Sequence, residues 1–134
     1  MNYDNIHVLI LSAGKIEKEL ESIFGSIPSG LIPLHGKPVI FRIIDKLLKD
    51  GFKKISITTG FKKEILEKII SEQYEDQIKV NFITTDFEKP PGNSILTAIE
   101  KIEEQQLLVI LGDTLVENDL SNLIQNNNLS LIHI

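Results

Sequence analysis

Hydrophobic and polar positions along the chain alternate between two periods. His7 to Leu11 is a short run rich in Val, Ile and Leu that meets Ser12, Ala13 and Gly14, which predicts a buried strand running into a turn. From Pro38 onward, Ile40, Ile43, Ile44, Leu47 and Leu48 fall at helical spacing, with Pro38 suited to the first turn and Gly51 to the stop. Lys54 to Thr59 is alternating and β-branched, Gly60 punctuates it, and Ile65, Leu66, Ile69 and Ile70 restore the helical period. The unit appears twice more. Ile78 to Thr84 precedes a helix carrying Ile95, Leu96, Ile99 and Ile102, and Leu107 to Leu111 leads past Gly112 and Asp113 to a short helix near Asp119 to Gln125. Asn126 to Asn128 is a turn signal, and Leu129 to Ile134 predicts one more strand. Strands alternating with helices predict an α/β fold with a mostly parallel sheet and helices on both faces.

The composition narrows the class. A chain of 134 residues, 42% hydrophobic and 25% charged, fits one globular domain, and no apolar run approaches the roughly 20 residues of a membrane span. The start, Met1 to His7, has no basic flank and no long apolar stretch, so a cytoplasmic protein without a membrane partner is expected. The absence of cysteine excludes disulfides and thiolate metal sites. A net charge of -5 argues against a general nucleic-acid surface, so any phosphate bound is expected to be small and locally held. Because the chain stops on a core strand, a single domain over 1–134 truncated at its C-terminus is expected. Its open sheet edge should favour a homo-oligomer.

In open parallel sheets ligands bind beyond the carboxyl ends of the strands, so the loops there carry the candidate chemistry. Ser12-Ala13-Gly14 leaves backbone accessible to a base or phosphate, although the same residues suit an ordinary turn. Asp113, after the strand Leu107 to Leu111, suits a hard cation shared with phosphate oxygens, or equally a helix or turn cap. Gly92, Asn93 and Ser94 open a helix and suit a ligand, or simple N-capping. His7, His35 and His133 are scattered, with no acidic cluster at ligand spacing. No P-loop run is present, and no G-x-G-x-x-G follows the first strand.

Four stretches in order resemble the sugar-phosphate nucleotidyltransferase family. Leu31 to Ile40 (Leu-Ile-Pro-Leu-His-Gly-Lys-Pro-Val-Ile) is similar to the family's run before its first long helix, and Gly51-Phe52 to the end of that helix. Gly60 to Ile65 is similar to its Gly-Tyr-Lys-x-Glu-x-Ile segment, and Leu108 to Asp113 to its strand ending in Gly-Asp. The resemblance implies a Rossmann-like three-layer sandwich, here its N-terminal part. It implies transfer of a nucleoside monophosphate from a nucleoside triphosphate to a sugar 1-phosphate, with pyrophosphate released and Mg²⁺ as cofactor. Carried over by position, Ser12, Ala13 and Gly14 would hold the nucleotide, Gly92, Asn93 and Ser94 would lie where the base is read, and Asp113 would bind Mg²⁺.

Two departures bear on that chemistry. The family loop continues Gly-x-Gly-(Ser/Thr)-Arg, whereas Lys15-Ile16-Glu17-Lys18 follows Gly14, and a family lysine is replaced at Ser29. Lys15, Lys18 and Lys37 are the basic residues at hand to replace them, and Lys18 is taken as the catalytic cation beside Asp113. Lys15 and Lys18 also suit a solvated face with Glu17, Glu19 and Glu21, and Lys37 suits a structural role. A non-catalytic module that binds a nucleotide or sugar nucleotide is the alternative reading.

Overall fold

The computed structural model describes residues 5–89, 91–102, 106–112 and 131–133. In chain order they form β1 (Ile6–Leu11), α1 (Lys18–Phe24), a 3₁₀ turn (Ser29–Leu31), β2 (Pro33–Leu34), β3 (Lys37–Pro38) and α2 (Val39–Lys49). Then follow β4 (Lys54–Thr59), α3 (Lys63–Tyr74), β5 (Asn81–Thr84), α4 (Pro91–Ile99), β6 (Gln106–Leu111) and β7 (Leu131–His133). Five strands make one sheet in the order β5-β4-β1-β6-β7, and every pair in it is parallel.

The period of two along β1 explains the three layers. Val8 and Ile10 turn to one face, where they join Ile40, Ile43, Ile44 and Leu47 of α2 and Leu66 and Ile70 of α3. Leu9 turns to the other, where it joins Ile83, Val109 and Ala98 of α4. A strand covered on both sides must be apolar throughout, which is why His7 to Leu11 reads as a continuous run. The one polar side chain within it, His7, is buried with its Nε2 2.6 Å from Ser56 Oγ. α2 buries five residues, each contributing about 1.5–3 kcal/mol, and is the main anchor of the first face.

Several boundaries differ from the sequence reading. Pro38 sits just before α2 as its N-cap, paired in β3, and Gly51 ends the helix at φ +98° as expected. β5 begins at Asn81 and not Ile78, because the N–H groups of Gln77 and Ile78 both donate to the Tyr74 carbonyl and prolong the end of α3. α4 closes at Ile99, and Ile102 follows in a tighter turn, its N–H donating to the Ile99 carbonyl. β7 is shorter than Leu129 to Ile134, and the helix expected near Asp119 to Gln125 lies outside the described residues. No helix among the described residues is long and apolar enough to cross a membrane.

The strand order places the site. From β1 the chain steps outward to β4 and β5, then returns past β1 to β6 and β7 on its other side. Crossovers therefore reverse direction at β1, the kind of point at which a crevice opens at the carboxyl ends of the strands.

Candidate functional site

At that crevice lies a cavity of about 410 Å³. Its floor is Leu11 of β1, Thr58 of β4 and Leu111 of β6, the last or nearly last residues of three adjacent strands. Its walls come from the loop after β1, with Ala13, Gly14, Lys15 and Glu17, from Ser29, and from the loop after β5, with Asp86, Phe87 and Lys89.

The loop after β1 is held by backbone. The Ser12 N–H donates to the Thr58 carbonyl at 3.2 Å and to Thr58 Oγ1 at 3.0 Å, which accounts for a buried threonine in a core strand. The Ala13 carbonyl accepts from the Phe61 N–H at 2.9 Å and the Gly14 carbonyl from the Ser29 N–H at 3.2 Å. A lone bridge between Lys15 and Pro28 fastens the next residue. Glycines fit where these loops press together. A Cβ on Gly60 would lie 2.8 Å from the Thr85 carbonyl oxygen, and one on Gly112 2.6 Å from that of Leu11. A Cβ on Gly14 would meet nothing within 4 Å. Gly14 is therefore open toward the cavity side of the loop, while the other two are packing glycines.

The sequence-predicted residues separate in space. Ala13 and Gly14 line the cavity, whereas Ser12 lies beneath it, 1% exposed, with its Oγ making no hydrogen bond among the described residues. Gly92, Asn93 and Ser94 occupy the first turn of α4, where the Asn93 carbonyl accepts from Thr97 Oγ1. Lys18 is the exposed first residue of α1 and is not part of the lining. Lys37 is engaged elsewhere, in an ion pair with Asp45. Asp113 lies outside the described residues; Gly112, directly before it, is buried, with its N–H donating to the Leu11 carbonyl at 2.7 Å.

Two cations stand in the lining, Lys15 and Lys89. Lys15 Nζ is 3.5 Å from Glu21 Oε1 and 5.6 Å from the Phe61 ring centroid, so its head group spans an ion pair and an aromatic face. Ser29, at the position where the resemblance implies a lysine, is itself in the wall and brings no charge to it. The loop after β5 supplies residues that the sequence reading missed. Phe87 packs edge-on against Phe61 with centroids 5.3 Å apart, and Asp86 Oδ1 accepts the Glu88 N–H at 2.9 Å. The available signal was position alone: a polar loop at the carboxyl end of a parallel strand. Among the described residues no group of three or more His, Asp or Glu could hold a metal ion.

Comparison with known proteins agrees with this arrangement. A family model described as Nucleotidyl transferase matches residues 7–129. The D-glycero-alpha-D-manno-heptose 1-phosphate guanylyltransferase of Aneurinibacillus thermoaerophilus is 28% identical over 118 residues, covering 88% of this chain and 51% of that protein. The bifunctional protein GlmU of Methanococcus maripaludis is 33% identical over 120 residues, covering 90% of this chain and 28% of that one. The crystal structure of HddC from Yersinia pseudotuberculosis complexed with GMP-PN superposes with a TM-score of 0.74 at 28% identity, over 90% of this chain and 53% of HddC. The chain thus spans about half the length of its relatives, or less. A match over nearly all of its residues, on a sheet whose crevice lies where nucleotides bind in such folds, makes it a member of the nucleotidyl transferase family.

Proposed function

We propose that this chain is the nucleotide-binding part of a sugar-phosphate nucleotidyltransferase, which holds a nucleoside triphosphate while a sugar 1-phosphate oxygen attacks its α-phosphorus and pyrophosphate leaves. The observation that carries the reading is the cavity at the strand-order reversal, walled by the small residues Ala13 and Gly14 within a chain that matches the family model over residues 7–129. The activities of relatives support the class of reaction, since they include a heptose 1-phosphate guanylyltransferase and a UTP–glucose-1-phosphate uridylyltransferase.

Within this reading Ala13 and Gly14 let the nucleotide approach the backbone, and Ser12 and Thr58 hold that loop in place. Lys15 is the better candidate than Lys18 to offset phosphate charge, because it lines the cavity and its present partners, Glu21 and an aromatic face, are exchangeable at the surface. Mg²⁺ would be held by Asp113, next after the buried Gly112 at the carboxyl end of β6; one carboxylate with phosphate oxygens and water fits the preference of that ion. Bound there, the ion would supply charge compensation on the phosphates. A non-catalytic nucleotide-binding role is favoured by one observation, the uncharged Ser29 in the cavity wall.

The test is triphosphate binding with Mg²⁺ or with chelator, for the wild type and Asp113→Asn, beside pyrophosphate release with a panel of sugar 1-phosphates. Mg²⁺-enhanced binding that Asp113→Asn abolishes is the expected result. An equal Mg²⁺ effect in both forms removes the metal assignment, and absence of any triphosphate binding removes the function.

A further inference from the structure

Lys15 is exposed, and an ammonium on a long flexible stem serves a cavity only in so far as something keeps it at the wall. The bridge to Pro28 fixes its backbone and leaves the head group free to swing. Two groups restrain that head group, and they differ in kind. Glu21 Oε1 lies 3.5 Å from Nζ, and the Phe61 ring centroid lies 5.6 Å from it. A carboxylate neutralises the charge that a phosphate needs, so it must give way before the phosphate can pair with the ammonium. A ring face attracts the ammonium through its quadrupole and carries no net charge, so it restrains the lysine without competing for its charge. The carboxylate must therefore leave when phosphate arrives, whereas the ring can stay.

The ring is itself held in place. The Phe61 N–H donates to the Ala13 carbonyl at 2.9 Å, which ties its backbone to the cavity loop. Phe87, in the cavity wall, meets the Phe61 ring edge-on, with centroids 5.3 Å apart and planes at 76°. A second ammonium, Lys62 Nζ, stands 5.5 Å from the same centroid and donates to the Ser26 carbonyl at 2.7 Å. Two ammoniums on one ring repel each other, and the Glu21 carboxylate offsets that repulsion until a phosphate does so in its place. Resting on the nucleotide-binding reading above, we infer that Phe61 is a positioning residue whose ring keeps the Lys15 ammonium at the cavity wall for a polyphosphate, while Glu21 is the internal carboxylate that the polyphosphate displaces.

The experiment titrates ATP, GTP, CTP and UTP, each with Mg²⁺, into the wild-type chain. The tightest of the four is then measured on Phe61→Leu, Phe61→Tyr, Glu21→Gln and Lys15→Met, and on Lys15→Met combined with Phe61→Leu or with Glu21→Gln. Leucine keeps apolar bulk without a π face, so Phe61→Leu should bind roughly two- to fivefold more weakly, and Phe61→Tyr should bind as the wild type does. Glu21→Gln should bind about twofold tighter, the opposite sign, because a competing exposed ion pair is gone. Neither effect should survive in the Lys15→Met background. The Lys15 ε-methylene protons should also be shifted upfield by the ring in the wild type, both free and saturated with triphosphate, and not in Phe61→Leu. A Phe61→Leu loss of equal size in the Lys15→Met background, or an upfield shift that is absent or disappears on triphosphate binding, overturns the inference and leaves the nucleotide reading standing. Should Phe61→Leu fail to fold, the methylene shift of the wild type and the Glu21→Gln comparison with and without Lys15 decide the matter. Failure of the wild type to bind any of the four triphosphates overturns both.

Discussion

Single residues at the crevice differ in what a side chain would cost, and that difference separates folding from binding. Gly14 and Gly60 stand at the ends of adjacent strands, yet a Cβ at Gly14 meets no atom within 4 Å while one at Gly60 meets the Thr85 and Ala13 carbonyl oxygens at 2.8 and 3.1 Å. Gly14→Val is therefore expected to fold with a change within about 0.5 kcal/mol, as for an open surface site, and to lose nucleotide affinity because its branches occupy the cavity. Gly60→Ala is expected to cost about 1–3 kcal/mol, since backbone must move to admit the methyl group. Urea unfolding and nucleotide titration of both variants check the pair; a Gly14→Val chain that folds and binds normally would remove Gly14 from the site. At this scale the loop was legible as the turn that leaves β1, because Ser12, Ala13 and Gly14 directly follow an apolar run in the sequence. The placement of Lys15 in the wall and Lys18 outside it was not, because it depends on the bridge from Lys15 to Pro28 across a dozen residues. Asp86 and Phe87 stayed unread for a related reason: no periodicity marks a loop.

Elements that bury a full face announced themselves, and those that bury little did not. α2 and α3 both appear in the apolar spacing, whereas α1 was missed because it has no buried residue and leaves Ile23 70% exposed. The hairpin of β2 and β3 was also missed, its strands being only two residues each with a proline in both. Its turn, His35-Gly36, has both φ values positive, at 52° and 78°, which is the two-residue hairpin geometry that matches strand twist. Side chains of α2 then hold it: Arg42 donates to the Leu34 and His35 carbonyls, and Asp45 pairs with Lys37. Asp45 also binds the opposite neighbour, since the Tyr74 hydroxyl of α3 lies 2.7 Å from its Oδ1 and 3.0 Å from the Phe41 carbonyl. Burial, and then the Asp45 carboxylate, raise the Tyr74 pKa well above its ordinary value. The sign follows from linkage. A proton held more tightly in the folded chain contributes stability that is complete below the unfolded tyrosine pKa of about 10 and is lost as pH rises above it. Tyr74→Phe should cost about 0.5–1.5 kcal/mol at neutral pH and should flatten the fall in stability above about pH 10. Urea midpoints from pH 7 to 11 for both forms are the measurement; parallel curves would mean that the hydroxyl is not what the alkaline loss titrates.

At the scale of the whole molecule the question is which end of the sheet takes the nucleotide that the proposed function requires, and size alone favours the other end. A larger cavity, about 550 Å³, lies toward the amino end of β5, between α3 and the residues entering that strand. Ile70, Tyr74, Ile78, Val80 and Phe82 dominate it, and these belong to or pack against the core cluster of that face. It sits where chains return to the sheet after crossovers, so no pair of diverging loops and no small-residue turn opens it to a polar ligand. The smaller cavity lies at the strand where crossover direction reverses, β1, and the small-residue turn Ser12-Ala13-Gly14 leads directly from that strand. The alternation of strands and helices in the sequence foretold a parallel sheet, but not this strand order; the reversal at β1 is fixed by pairings such as Leu9 with both Ser56 and Val109, which local period does not encode. Addition of a nucleoside triphosphate is therefore expected to shift the backbone amides of Ala13, Gly14, Lys15, Phe87 and Lys89 while leaving those of Ile70, Tyr74 and Ile78 unmoved. Shifts concentrated on the second group would put the ligand at the amino end and overturn the crevice as the site, whatever family the chain belongs to. The two groups of amides line cavities at opposite ends of β5, so the map of which group shifts on titration decides between them.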